Sequence, residues 1–219
     1  MAEEERRLVK TERGISWKVY AAAFVSSLVI FGIGIWTGLQ IEKGVTDQLT
    51  DTANTISQSW VSLETLLMME DSPMFCEYIT DQMQSFDSET FDLGKKIGYM
   101  EERRGVDPNL KSEYMSLETR DYLTAQKINT RCGTNTSLIL YFVSSSSCPA
   151  CPQQGAELTK ARESGDIRIY TYDMDIKNSM ASSLAKMYDV TTYPSIVVDG
   201  KKHVGLISSD DILVAAKAG

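Results

Sequence analysis

Histidine is almost missing from this chain of 219 residues, which has only His203. A single imidazole argues against His-rich metal sites, Cys–His proteases and Ser–His–Asp hydrolases, because each needs a His in a defined role. Cysteine is also scarce, at 4 residues. That is too few for a disulfide-dense scaffold, but enough for one redox pair plus one structural pair. Basic residues are outnumbered, 22 Lys and Arg against 30 Asp and Glu, for a net charge of -8. Phosphate neutralisation needs clustered Lys and Arg, so nucleic acid is not expected as a partner. What remains is a foldable composition, 42% hydrophobic and 24% charged, long enough for one or two ordinary domains.

Charge is missing altogether from Val19 to Leu39, a stretch of 21 residues. As a helix it would extend roughly 31 Å, about the thickness of a bilayer hydrocarbon core. Trp17, Tyr20 and Trp36 lie near its ends, where amphipathic rings prefer the interface. The competing reading, a buried core helix, is rarely apolar on every side at this length. The run is longer than a signal-peptide apolar region, and Gln40-Ile41-Glu42-Lys43 offers no small-residue cleavage site. We read an uncleaved signal anchor in contact with membrane lipid. Arg6, Arg7, Lys10, Arg13 and Lys18 precede it, whereas only Lys43 lies in the comparable stretch after it. The excess of positive charge expects residues 1–18 as a cytoplasmic tail, 19–39 as the span and residues from 40 on outside the cytoplasm. Gly34 and Gly38 fit a small-xxx-small pattern, so a homodimer through the span is one expectation.

Residues 40–132 read as a helical stalk and helical region without strand-like stretches. Leu49, Ala53, Ile56, Trp60, Leu63 and Leu67 recur at helical spacing. The stripe is too short for a coiled-coil assignment, so packing on its own domain is preferred. Ser72-Pro73 reads as an N-cap with Pro at the first helical position, Ser88 as the opening of a further helix, and Asp107-Pro108 as the start of one reaching about Thr130. The scattered Met residues suit gap-filling in a core better than copper ligation.

At Ser137 the pattern changes. Leu138–Val143 has strand length, and a polar loop Ser144–Ser147 leads to Cys148-Pro149-Ala150-Cys151 and helix-compatible sequence through about Glu163. Strand, helix and strand follow at Ile167–Tyr172, Ser179–Tyr188 and Ser195–Val198. Asp199-Gly200 signals a hairpin to a short strand near His203–Leu206. Asp210–Ala218 reads as a last helix. The order is β-α-β-α-β-β-α over residues 133–219, an α/β domain preceded by one transmembrane helix and a helical region.

Two motifs in this order resemble the thioredoxin superfamily over about residues 137–219: the strand-loop-Cys148-Pro149-Ala150-Cys151-helix unit, and Val190-Thr191-Thr192-Tyr193-Pro194-Ser195 opening a strand. The resemblance implies a thioredoxin-like domain, a cis Pro194, and a substrate segment held beside the sulfurs by Tyr193 and Pro194. It implies catalysis by Cys148 and Cys151 with no cofactor and no metal. With Cys148 at a helix start, orphan amides and the dipole would favour its thiolate, the attacking species in disulfide exchange. Cys151, one turn in, would be more shielded and would resolve. A zinc half-site would need ligands that the chain lacks; a purely structural disulfide is the stronger competitor. The sequence departs from the thioredoxin pattern at Ser147, where an aromatic is common, and at Phe142, where reducing members carry a buried acid. The Cys-Pro-x-Cys motif resembles that of extracytoplasmic disulfide oxidoreductases, although their helical insertion is missing.

The sequence therefore expects an extracytoplasmic, membrane-anchored thiol–disulfide oxidoreductase. Its expected partners are exported or membrane proteins with thiols or disulfides, and a membrane redox partner. Its rivals are a non-enzymatic membrane-anchored adaptor on a thioredoxin-like scaffold, and a metal- or haem-maturation thiol chaperone. Cys76 and Cys132 are expected to bond each other. Two separate buried thiols, or a second redox relay, are the alternatives.

Overall fold

The computed structural model describes residues 17–68, 72 and 74–217. Most of the expected cytoplasmic tail, with Arg6, Arg7, Lys10 and Arg13, lies outside the described residues. The chain divides into two units, Met1–Thr46 and Asp47–Gly219.

The first unit contributes the beginning of helix α1, Trp17–Leu67. Its segment Trp17–Gln40 has a mean hydropathy of 2.0 and no buried residues. A helix of this length and composition fits a membrane anchor or a signal sequence. Side chains such as Phe24, Ile30 and Trp36 are exposed; in water alone such a surface would be unfavourable. A Cβ added at Gly34 or Gly38 would meet open space.

In the second unit, the remainder of α1 is followed by α2, Phe75–Arg104, and α3, Pro108–Cys132. Leu49, Ala53, Ile56, Trp60 and Leu63 are buried with Phe75, Ile79, Met83, Phe86, Leu93 and Ile97 of α2 and with Leu110, Leu117 and Ile128 of α3. The stripe thus packs within the chain. Trp60 meets Phe86 edge to face, with ring centroids 4.3 Å apart. Two local expectations are corrected. Helix α2 begins at Phe75, whose N–H donates to the Ser72 carbonyl at 3.0 Å, so Ser72 is not its N-cap; Pro73 lies outside the described residues. Ser88 opens nothing: α2 runs through it, because Phe86, Thr90, Leu93 and Ile97 continue the buried face and outweigh the capping preference of one Ser. Asp107 does cap α3, accepting from the Asn109 N–H at 2.9 Å ahead of Pro108.

The rest of the unit comprises β1 (Ser137–Val143), α4 (Cys151–Ser164), β2 (Ile167–Asp173), α5 (Ser179–Met187), β3 (Ser195–Val198), β4 (Lys201–Val204) and α6 (Ser209–Lys217). The four strands form one mixed sheet in the order β2-β1-β3-β4, with β1 parallel to β2 and antiparallel to β3. Alternation along the strands sorts the two faces. Leu138, Leu140, Phe142, Tyr170, Tyr172 and Val197 pack with Met115, Tyr122 and Ala125 of α3 and Leu184 of α5. Ile139, Tyr141, Ile196 and Val198 pack with Leu158 of α4 and Ile212 of α6 on the other. Helix α3, read from sequence as part of the helical region, is therefore also half of the cover on one face. Strand β4 starts earlier than the expected His203, because Asp199 (φ 45°) and Gly200 (φ 85°) make a two-residue turn that pairs Lys201 with Val198.

Candidate functional site

Register places the chemistry at one end of the sheet. Val143, the last residue of β1, pairs with Asp173, the last of β2. On the other side Phe142 pairs with Ser195, the first residue of β3. The loop leaving β1 toward Cys148 and the Tyr193-Pro194 peptide entering β3 therefore meet the same sheet end. The Tyr193–Pro194 bond is cis. The Pro194 carbonyl accepts from the Gly205 N–H at 2.9 Å, and the Ser195 hydroxyl donates to the Thr192 carbonyl at 2.7 Å.

Four consecutive serines, Ser144–Ser147, carry the chain from β1 to Cys148. Such a run has more hydroxyls and amides than it can satisfy alone, and two acids at the end of β2 supply the acceptors. Asp175 accepts from the Ser144 hydroxyl at 2.9 Å and from the Ser146 N–H at 2.7 Å. Asp173 accepts from the Ser145 hydroxyl at 2.5 Å and from the Asp175 N–H at 3.0 Å. These bonds hold the Asp175 carboxyl below its ordinary range, the Ser146 N–H foremost. Burial works against the Asp173 carboxylate, but bonds from Lys111 and Ser145 outweigh it and hold its pKa below the usual value.

Cys148 and Cys151 are joined, with S–S 2.01 Å and Cα–Cα 5.4 Å. One expectation about them is corrected. Helix α4 starts at Cys151, so Cys148 and Pro149 lie in the preceding turn and only Pro152 is in the first helical turn. The turn is closed by the Cys151 N–H, which donates to the Cys148 carbonyl at 3.2 Å. In this oxidised state the two residues are equally exposed, at 8% each. They differ in anchoring. The Tyr141 hydroxyl donates to the Cys151 carbonyl at 2.5 Å, and burial pushes that phenol up to about 12. Gln154, fully buried, ties α4 to the Ile207 backbone through its side-chain amide.

Phe142 is fully buried and stacks on Tyr172 at 5.4 Å. Buried acids stand elsewhere. Burial raises Glu118 to about 8, against bonds from the Tyr114 hydroxyl (2.7 Å) and the Thr171 N–H (2.9 Å). Burial likewise raises Asp121 to about 7, opposed by Arg168 at 3.7 Å. Both belong to α3 and face β2. Cys76 and Cys132 are bonded to each other, Cα–Cα 5.5 Å, between the first turn of α2 and the end of α3. His203 lies on β4 opposite Ile196. Among the described residues, no three His, Cys, Asp or Glu are grouped to hold a metal ion.

Sequence reasoning missed Asp173, Asp175, Lys111 and Tyr141. The only signal was the serine run itself, whose surplus of donors called for acceptors at the same sheet end. Chemically, a cysteine pair with one member in a turn and the other opening the helix that follows is arranged for thiol–disulfide exchange.

No family model matches the chain, and no curated protein matches it. Several solved structures are similar to part of it, among them two thioredoxins. Chloroplastic thioredoxin z is 22% identical, covering 43% of this chain and 90% of its own, with a TM-score of 0.33. Oxidised mitochondrial thioredoxin 3 from Saccharomyces cerevisiae is 22% identical with the same coverage and a TM-score of 0.30.

Proposed function

We propose that the chain is a membrane-anchored, extracytoplasmic thiol–disulfide oxidoreductase acting on cysteines of exported or membrane proteins. The observation that carries the reading is the Cys148–Cys151 disulfide, which joins the turn ahead of α4 to that helix's first residue at the end of the sheet where Tyr193-Pro194 enters β3. In the oxidised state a substrate thiolate attacks the Cys148 sulfur. The Cys148–Cys151 bond breaks, a mixed disulfide forms, and Cys151 leaves as a thiolate. A second substrate thiolate then displaces Cys148. The substrate leaves oxidised, and the pair holds two electrons and takes up the two protons. The reverse sequence, opened by the Cys148 thiolate, reduces a substrate disulfide. Tyr193 and Pro194 hold the substrate backbone beside the sulfurs. A redox partner in the same membrane resets the pair.

The test is exchange on the full chain in detergent micelles, by oxidation of a dithiol peptide and by reduction of insulin. Catalysis in either direction that is lost in Cys148→Ser supports the reading. Rates equal to the uncatalysed reaction in both assays sink it and leave a structural disulfide.

A further inference from the structure

We propose that Lys111 is a positioning residue of the redox site, acting through Asp173 to fix the serine loop that delivers Cys148. This rests on the reading of Cys148 as the attacking sulfur. Lys111 stands in the first turn of α3, and its ammonium donates to Asp173 at the end of β2 and to Glu101 on α2. The side chains are 13% exposed for Lys111, 3% for Asp173 and 37% for Glu101. A carboxylate as buried as Asp173 keeps its charge only with a cation and several donors. Lys111 is that cation. Asp175 adds a second acid and no cation. Burial opposes the Lys111 charge as well, but its bonds to Asp173 and Glu101 keep the ammonium more stable than in water.

The charge is coupled to the loop by Asp173 itself. One of its oxygens, Oδ2, accepts from both Lys111 and Ser145; the other accepts from the Asp175 N–H. Asp175 in turn holds Ser144 and Ser146. Every serine from 144 to 146 is thus tied to Asp173 directly or through Asp175, two residues short of Cys148. The first turn of α3 is fixed in its own right, since the Ser112 carbonyl accepts from the Asn178 amide at 2.7 Å. Lys111 therefore does not hold α3 in place unaided. Without it, Asp173 loses the cation that keeps it charged, and its hold on the Ser145 hydroxyl and the Asp175 N–H weakens. A Cys148 thiolate is then disfavoured by the loosened loop.

The test uses the reduced full chain in detergent micelles. The rate of Cys148 alkylation by iodoacetamide is followed against pH by peptide mass spectrometry. Lys111→Met is expected to move the midpoint of that profile up by about 0.5–1 pH unit and to slow alkylation at neutral pH about three- to tenfold. Lys111→Arg, which keeps the cation, restores most of both. Ser145→Ala removes the hydroxyl link alone and moves the profile the same way by a smaller amount, so it decides the matter if Lys111→Met does not fold. A parental profile in Lys111→Met, or in Ser145→Ala where that variant decides, overturns the proposal. An inactive parental chain whose Cys148 profile still depends on Lys111 would remove the proposed function and leave the positioning role. An active chain with a Lys111-independent profile would do the reverse.

Discussion

At the residue scale, Cys148 and Cys151 are equally exposed as residues and differ in how they are attached. Cys151 is the first residue of α4 with its carbonyl held by Tyr141, whereas Cys148 sits in the turn before the helix. The account expects Cys151→Ser to accumulate mixed disulfides with substrate proteins, seen as reducible high-mass adducts. Cys148→Ser should give none, and equal trapping by both variants would contradict the assigned roles. Cysteine spacing and the Tyr-Pro-Ser segment were legible in the sequence because their chemistry is local. Asp173 and Lys111 were not, because 62 positions separate them and only the fold brings them together. Glu118 gives a second residue-scale prediction. Its pKa is about 8 in the folded chain against an ordinary 4.5. Between those values the folded chain keeps a proton that the unfolded chain releases, so stability falls as pH rises through that window, by up to about 1.4 kcal/mol per pH unit. Glu118→Gln can keep both hydrogen bonds, to Tyr114 and to the Thr171 N–H, and should flatten the slope of unfolding free energy between about pH 5 and 7.5. Asp121, at about 7, leaves a residual slope. Denaturant titrations at three pH values check this, and an unchanged slope would mean that Glu118 is ionised when folded.

At the scale of elements, α2 and α3 are clamped twice. The Cys76–Cys132 bond closes a loop with a sequence separation of 56. By loop-closure entropy it contributes up to about 4 kcal/mol, with about 2–4 the usual range. Cys76→Ser with Cys132→Ser should lower unfolding free energy by that amount while disulfide exchange persists; loss of exchange in a folded double variant would make this pair part of the relay. The second clamp is close packing at Gly94, where an added Cβ would overlap the Tyr114 hydroxyl and lie 2.8 Å from its ring carbon Cζ. Gly94→Ala should displace Tyr114 from Glu118 and cost about 1–3 kcal/mol, measured by thermal or denaturant unfolding. Periodicity made the helices legible, but not their ends. Ser88 resembles a helix opening only until the buried face on both sides of it is counted. The assignment of α3 to the helical region was incomplete because its sequence cannot show that Met115, Tyr122 and Ala125 face a sheet whose first strand starts after it.

For the whole molecule, the expectation is an apolar helix in the bilayer and the acidic remainder outside the cytoplasm. Protease added to intact cells or right-side-out vesicles should digest the region after residue 40; its protection would remove both the proposed compartment and the class of substrate. The central claim is narrower: Cys148–Cys151 is the working disulfide and Cys76–Cys132 the structural one. Equilibrating the full chain in detergent across defined glutathione potentials, with each pair scored by peptide mass, tests it most directly. The account predicts that Cys148–Cys151 opens between about -120 and -270 mV, the range of protein thiol–disulfide oxidoreductases, while Cys76–Cys132 stays closed to below about -300 mV. A Cys148–Cys151 bond that survives as long as Cys76–Cys132 does would contradict it.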